Sequence, residues 1–269
     1  MDAISDYVRV CETAVRAGGR VLLEKIGRVE VREKSPSDLV TEADLASQEV
    51  VRRTILTAFP DHSVIGEEDQ PDGAGAEGEV KPTEYRWFVD PLDGTTNYVH
   101  QVPHFCVSLA LERLGELLVG TVYDPVAEEC FSAAAGQGAL LNGKWIRTSD
   151  VSRLSQTLAA VGLPSAVRPD SPDLRLFLAA LTRCQALRRT GSAALNLCYV
   201  AAGRFDAFWS YSTKSWDVAA GVLLIREAGG VVTAPDGGPF VLEKGHFLAA
   251  ANGQLHAELR ALVAEAGLA

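Results

Sequence analysis

The sequence predicts a mixed α+β fold, on two observations. In the first half, strand-like segments follow one another and a hairpin dipeptide closes the series; in the second half, short strands alternate with helices. Ile4, Val8, Cys11, Val15, Leu22 and Ile26 recur at helical spacing, predicting an amphipathic first helix that ends near Gly27. Val29-Glu30-Val31-Arg32 alternates as a strand does, and a second helix is predicted over residues 42–58, stopping before Pro60. Residues 66–84 are acidic and glycine-rich and read as a mobile loop. Residues 105–112, 117–123 and 129–133 read as antiparallel strands, and Asn142-Gly143 as a hairpin turn.

Beyond about residue 150 the character changes. Ser171-Pro172 opens a helix with a cap and a first-turn proline. Residues 186–189 read as a strand leading into Gly191-Ser192-Ala193-Ala194 and a helix closed by Gly203. A strand over 205–209, a helix over 217–228 capped by Gly229-Gly230, strands over 231–233 and 247–251, and a final helix complete the chain. The expected division is an N-terminal α+β half, 1–150, and a C-terminal α/β half, 151–269.

The net charge of −10 argues against binding nucleic acid through its phosphate backbone, which needs a basic surface. Five scattered cysteines, none in a Cys-x-x-Cys pair, argue against a disulfide framework or a zinc site. Residues 1–6 lack the basic and apolar regions of a signal peptide, and no segment approaches the roughly 18 apolar residues of a membrane span. A cytoplasmic protein without a membrane partner is expected.

Chemistry concentrates in Trp87-Phe88-Val89-Asp90-Pro91-Leu92-Asp93-Gly94-Thr95-Thr96-Asn97. An apolar strand that runs into two carboxylates and then a small hydroxyl-bearing turn suits divalent cations and a phosphate group. Taken singly, the Asp-x-x-Asp-Gly is also an ordinary turn. Four other places bring candidate groups. Thr41 and Asp44 open the second helix, where they would also form a capping box. Glu67 opens an acidic run; Ser192-Ala193-Ala194 opens one helix and Trp216-Asp217 another. Every candidate ligand is a hard oxygen, which points to Mg²⁺ rather than to a softer metal.

With those strings in this order, the chain resembles the inositol monophosphatase family of magnesium-dependent, lithium-sensitive phosphatases. The resemblance rests on residues 38–44, Gly66-Glu67-Glu68, residues 87–97, Trp216-Asp217-Val218-Ala219-Ala220-Gly221 and Glu227-Ala228-Gly229-Gly230. It implies a layered αβαβα sandwich with the active site between its halves, two to three Mg²⁺ per site, and a homodimer. Glu67, Asp90, Asp93 and the carbonyl of Leu92 are implied to hold one ion and Asp90, Asp93 and Asp217 a second, with Glu67 reaching a third. Asp44 and Thr95 are implied to activate water. Asp93, Gly94, Thr95, Thr96, Ala193, Ser210 and Asp217 are implied to meet a small phosphorylated metabolite.

One position departs from the pattern. Many inositol phosphatases carry a glutamate seven residues before the Asp of the Trp-Asp pair, and here that residue is Ser210. A serine cannot match a carboxylate's grip on two ring hydroxyls. Inositol 1-phosphate heads the expected substrates. Fructose 1,6-bisphosphate, histidinol phosphate and nucleotide phosphates are alternatives, and a silent phosphometabolite-binding protein is the alternative from another class. Lys214 nearby offers a cation to a second anionic group.

Overall fold

Five layers of helix and sheet alternate in this computed structural model, which describes residues 4–29, 31–35, 38–69 and 83–268. The chain begins with α1 (Ile4–Lys25), β1 (Val31–Ser35), β2 (Asp38–Thr41), α2 (Glu42–Ala58) and β3 (Ser63–Gly66). It continues through β4 (Tyr85–Asp93), α3 (Thr95–Val99), β5 (Cys106–Arg113), β6 (Glu116–Asp124), β7 (Glu129–Ala134), β8 (Ala139–Leu141) and β9 (Lys144–Ile146). Then come β10 (Leu158–Val161), α4 (Pro172–Leu181), β11 (Ala186–Arg188), α5 (Ala193–Ala201) and β12 (Ala207–Ser210). The last elements are α6 (Ser215–Glu227), β13 (Val231–Thr233), β14 (Phe247–Ala250) and α7 (Gly253–Glu265).

Strands β3 to β9 form a seven-stranded sheet in sequence order, antiparallel except for the parallel β3–β4 pair. Its strands read as nearly continuous apolar runs because both faces are covered. Trp87, Val89, Val107, Leu109 and Val119 pack under α1 and α2, whereas their neighbours Phe88, Cys106, Ala110 and Val122 pack against α5 and α6. That is the two-residue period of a strand, written into both cores. The second sheet, ordered β11-β10-β12-β14-β13, uses the same device. Ala160, Phe208, Phe247 and Ala249 face α5 and α6, and Ala159, Val161, Trp209 and Leu248 face α4 and α7. Helix α6 therefore lies between two sheets, which explains why residues 218–225 are buried without interruption. Complete burial of each such Leu or Val stabilises the fold by roughly 1.5–3 kcal/mol. The layered architecture agrees with the predicted fold class.

The local signals hold where they are strong. Ser171 caps α4 through its hydroxyl, which accepts from Leu174 N, and Asn142 and Gly143 form the β8–β9 turn with φ of 49° and 76°. The sheet of the second half is mixed. β10, β11 and β12 are parallel, while β14 runs antiparallel to both β12 and β13. The return from β13 to β14, which holds a three-residue 3-10 turn (Leu242–Lys244) but no α-helix, reverses the direction. The strand expected at 29–32 begins at Val31, and Glu30 lies outside the described residues, as do 70–82 of the expected loop. All five cysteines are free thiols. No helix among the described residues is long and apolar enough to cross a membrane.

Asp173, buried in the first turn of α4, accepts a 2.7 Å bond from Tyr211 N and so ties this helix to the loop after β12. Burial pushes its carboxyl up to about 6, against about 3.8 when free. The folded state therefore retains a proton that the unfolded chain gives up between pH 4 and pH 6. The Asp173 contribution is most favourable below pH 4 and is lost as pH rises through 6. Asp173→Asn keeps the acceptor and removes the titration. Denaturant unfolding should show the variant gaining up to about 2 kcal/mol on the wild type between pH 4 and pH 7. A pH-independent difference between the two would refute this assignment.

Candidate active site

Parallel pairing of β3 with β4 places Gly66 opposite Val89, so the chain leaves both strands at the same edge, with Glu67 and Asp90 next in line. Glu67 opens a short 3-10 turn, Glu67–Asp69, that is fastened to α2. Gln48 Oε1 accepts from Glu68 N at 3.0 Å, Gln48 Nε2 donates to Asp69 at 3.1 Å, and Arg52 pairs with Asp69. Asp69 also accepts from Gly66 N at 2.8 Å. On β4, Pro91 has no N–H to give the ladder, and the register with β5 breaks between Asp90 and Asp93. The break frees Leu92 N to donate to Asp90 Oδ1 at 3.1 Å. Ser47 on α2 clamps the same bend by donating to Pro91 O at 2.9 Å.

Gly94 follows with φ of +96°, and a Cβ there would stand 3.0 Å from His104 O. Both the left-handed backbone and the close approach require glycine. Thr95 then begins the one-turn helix α3, and its hydroxyl lies 3.1 Å from Leu92 O and 3.4 Å from Asp44 Oδ1. Asp44 is 1% exposed, and its other oxygen accepts from Thr41 N at 2.8 Å and from Thr41 Oγ1 at 2.6 Å. The capping box expected of Thr41 and Asp44 is thus formed, and the same carboxylate reaches Thr95.

Asp93 faces the N-terminus of α5. It accepts from Ser192 Oγ at 2.6 Å, Ala194 N at 2.7 Å and Ala193 N at 3.2 Å, a favourable place for a negative charge. Asp217, in the first turn of α6, accepts from Lys214 N at 2.8 Å and lies within hydrogen-bonding reach of Asp90.

Asp90 is 2% exposed, and its carboxyl is held well above the ordinary range, first by burial and then by the charges of Glu67, Asp93 and Asp217. The same two influences raise Asp217, with Asp93 the neighbouring charge. Burial also raises Asp93, opposed by its hydrogen bonds from Ser192, Ala194 and Ala193. Among the described residues no basic side chain forms an ion pair with Asp90, Asp93 or Asp217. Nor do any three His, Cys, Asp or Glu side chains there close into a tight cage. The group is looser, but its donors are all hard oxygens and its buried charge is of one sign, which fits a divalent cation.

A cavity of about 300 Å³ opens beside this group, lined among others by Glu67, Asp93, Ala193, Ser210 and Asp217. Asp44, Asp90, Leu92, Gly94, Thr95 and Thr96 are not in its lining. Thr96 is exposed, and Ser210 is fully buried with its hydroxyl accepting from Ser212 N at 3.2 Å. The sequence signals missed Ser47, Gln48 and Arg52; Ser192 stood in the Ser192-Ala193-Ala194 string and Asp69 in the acidic run that opens at Glu67, but neither carried an assigned role.

A buried carboxylate group between two sheets, beside a polar cavity and a Gly-Thr turn, defines the class to which the structure belongs: layered αβαβα proteins with an acidic centre. Residues 5–268 match the model of the inositol monophosphatase family, and the chain belongs to that family. It is 42% identical over 242 residues to the Nus factor SuhB of Pseudomonas aeruginosa, covering 88% of each chain. It is 40% identical over 237 residues to the fructose-1,6-bisphosphatase/inositol-1-monophosphatase of Aquifex aeolicus, covering 87% of each. The crystal structure of the extragenic suppressor protein SuhB from Bartonella henselae superimposes with a TM-score of 0.88 at 34% identity, covering 96% of this chain and 98% of that one.

Proposed function

We propose that this protein is a magnesium-dependent phosphate monoester hydrolase acting on a small sugar or polyol phosphate, with inositol 1-phosphate first among its substrates. The observation that carries the reading is Asp90, buried among Glu67, Asp93 and Asp217 and, among the described residues, without a basic side chain paired to it. Glu67, Asp90, Asp93, Asp217 and the Leu92 carbonyl would hold Mg²⁺. An ion held there would supply a water of lowered pKa and charge to stabilise the departing oxygen, the two demands of a reaction with so high an uncatalysed barrier.

The chain's own residues do the rest. Thr95, with its proton directed at Asp44 or Leu92 O, keeps oxygen lone pairs with which to orient a water. Asp44, already anchored by Thr41, can take the proton that Thr95 passes on. The amides of the Gly94–Thr96 turn would meet the phosphate. Ser192 and Cys106, which reach Asp93, are both buried, and Ser192 is further tied as the cap of α5 by accepting from Leu195 N; neither is free to meet phosphorus, so water attacks it directly.

The test is phosphate release with Mg²⁺ from inositol 1-phosphate, fructose 1,6-bisphosphate, histidinol phosphate and adenosine 3′,5′-bisphosphate, run in ¹⁸O water. Release with the label in phosphate is expected. Label in the alcohol would overturn direct attack, and silence across the panel would overturn the hydrolase reading.

A further inference from the structure

A second cavity, of about 500 Å³, lies at the other end of α6 from the carboxylates. Asp217 stands in the first turn of that helix and Arg226 in its last, about 14 Å apart along the axis, and the two cavities share no residue. Part of the lining is apolar: Leu223 is buried, and Leu117, Phe240 and Leu242 are half-buried. The rest is charged. Glu112 is occupied by the protein, accepting from Gly115 N at 2.5 Å and pairing with Arg86 at 2.6 Å, and Glu243 reaches the same Arg86 at 3.5 Å. Arg226 has no such partner. Among the described residues its guanidinium makes no ion pair or hydrogen bond and rests over the Phe240 ring, 5.9 Å from the centroid. Its side chain is open to the cavity, but protein atoms crowd the guanidinium. That loss of water pulls its pKa down from the ordinary arginine range, with no carboxylate to offset it.

We infer that this cavity binds a monocarboxylate with an apolar body, Arg226 taking the carboxylate and Leu117, Leu223 and Phe240 the hydrocarbon. A cation held against an aromatic ring beside apolar side chains is the complement of an anion joined to an apolar group. Glu112, Glu116 and Glu243 line the same cavity, so a dianion such as a phosphate ester would meet like charge on several sides. A carboxylate brings a single charge and matches the guanidinium fork with two parallel hydrogen bonds, worth roughly 10- to 100-fold in affinity. The site stands apart from the phosphate chemistry proposed at the other end of α6, and neither reading needs the other.

The experiment is calorimetric titration of the full chain, without Mg²⁺, with 3-phenylpropionate, its neutral counterpart 3-phenylpropanol, and 3-phenylpropyl phosphate. The acid should bind at least about tenfold more tightly than either of the others. Arg226→Gln should lower the acid to the level of the alcohol. Arg226→Lys should restore part of the preference, because lysine keeps the charge and loses the fork. Arg226 is exposed, so both variants should melt with the wild type. No binding of any probe, equal affinity for acid and alcohol, or a preference that survives Arg226→Gln would overturn the inference. A phosphate ester that binds as tightly as the acid would overturn the assignment of a carboxylate.

Discussion

Asp90→Asn should reduce magnesium-dependent phosphate release by on the order of 10³-fold or more, while the metal-free protein becomes no less stable. The two halves of this expectation come from the same observation. Asp90 is buried beside Glu67, Asp93 and Asp217, so its negative charge is a liability to the fold and of use only to a cation. Asparagine keeps the oxygen that accepts from Leu92 N and offers an amide to Asp217, so the local hydrogen bonds survive. Removing a buried charge should raise metal-free stability by about 1–3 kcal/mol. Mg²⁺ should raise the melting temperature of the wild type and not that of the variant. Phosphate release and thermal unfolding, each with and without Mg²⁺, check both halves. A variant that still turns over would remove Asp90 from the site, and a function untouched by the change would favour a silent phosphometabolite-binding protein.

What could be read from the sequence, and what could not, follows the range of the interactions. Trp87 to Asn97 was legible because strand, bulge and turn are built from consecutive residues, and the capping box of Thr41 and Asp44 spans a single helical turn. Contacts between distant segments left no local mark. Gln48 and Arg52 are ordinary helix-surface residues by periodicity, yet they fix the turn that begins at Glu67. Ser47 reaches Pro91 across 44 positions, and Ser192 reaches Asp93 across 99. Strands β3, β8, β9 and β10 have three or four residues each, too few for a period to show. Sheet direction in the second half was not legible either, because the connections decide it, and β13 and β14 are joined without an α-helix.

Gly120→Ala tests whether the packing of α6 on the larger sheet sets the position of Asp217. Gly120 lies in β6 between Ala110 and Ala133 of the flanking strands, on the face that α6 covers. A Cβ there would stand 2.8 Å from Ala220 Cα and 2.9 Å from Ala220 O, which is main chain and cannot rotate aside. Relief requires the helix to move, and Asp217 lies on it one turn earlier. Overpacking of this kind should destabilise by about 2–4 kcal/mol. The displaced carboxylate should also weaken Mg²⁺ binding by roughly tenfold or more, since ligand placement governs affinity. Gly253→Ala is the control: nothing lies within 4 Å of its Cβ, and it occupies the first turn of α7. Alanine there should be neutral or stabilise by about 0.5–1 kcal/mol. Chemical denaturation and Mg²⁺ titration read the two effects separately. Lost stability with unchanged Mg²⁺ affinity would mean that β6 yields rather than α6, and that Asp217 is held by its own helix turn and Lys214 N instead of by the sheet beneath it.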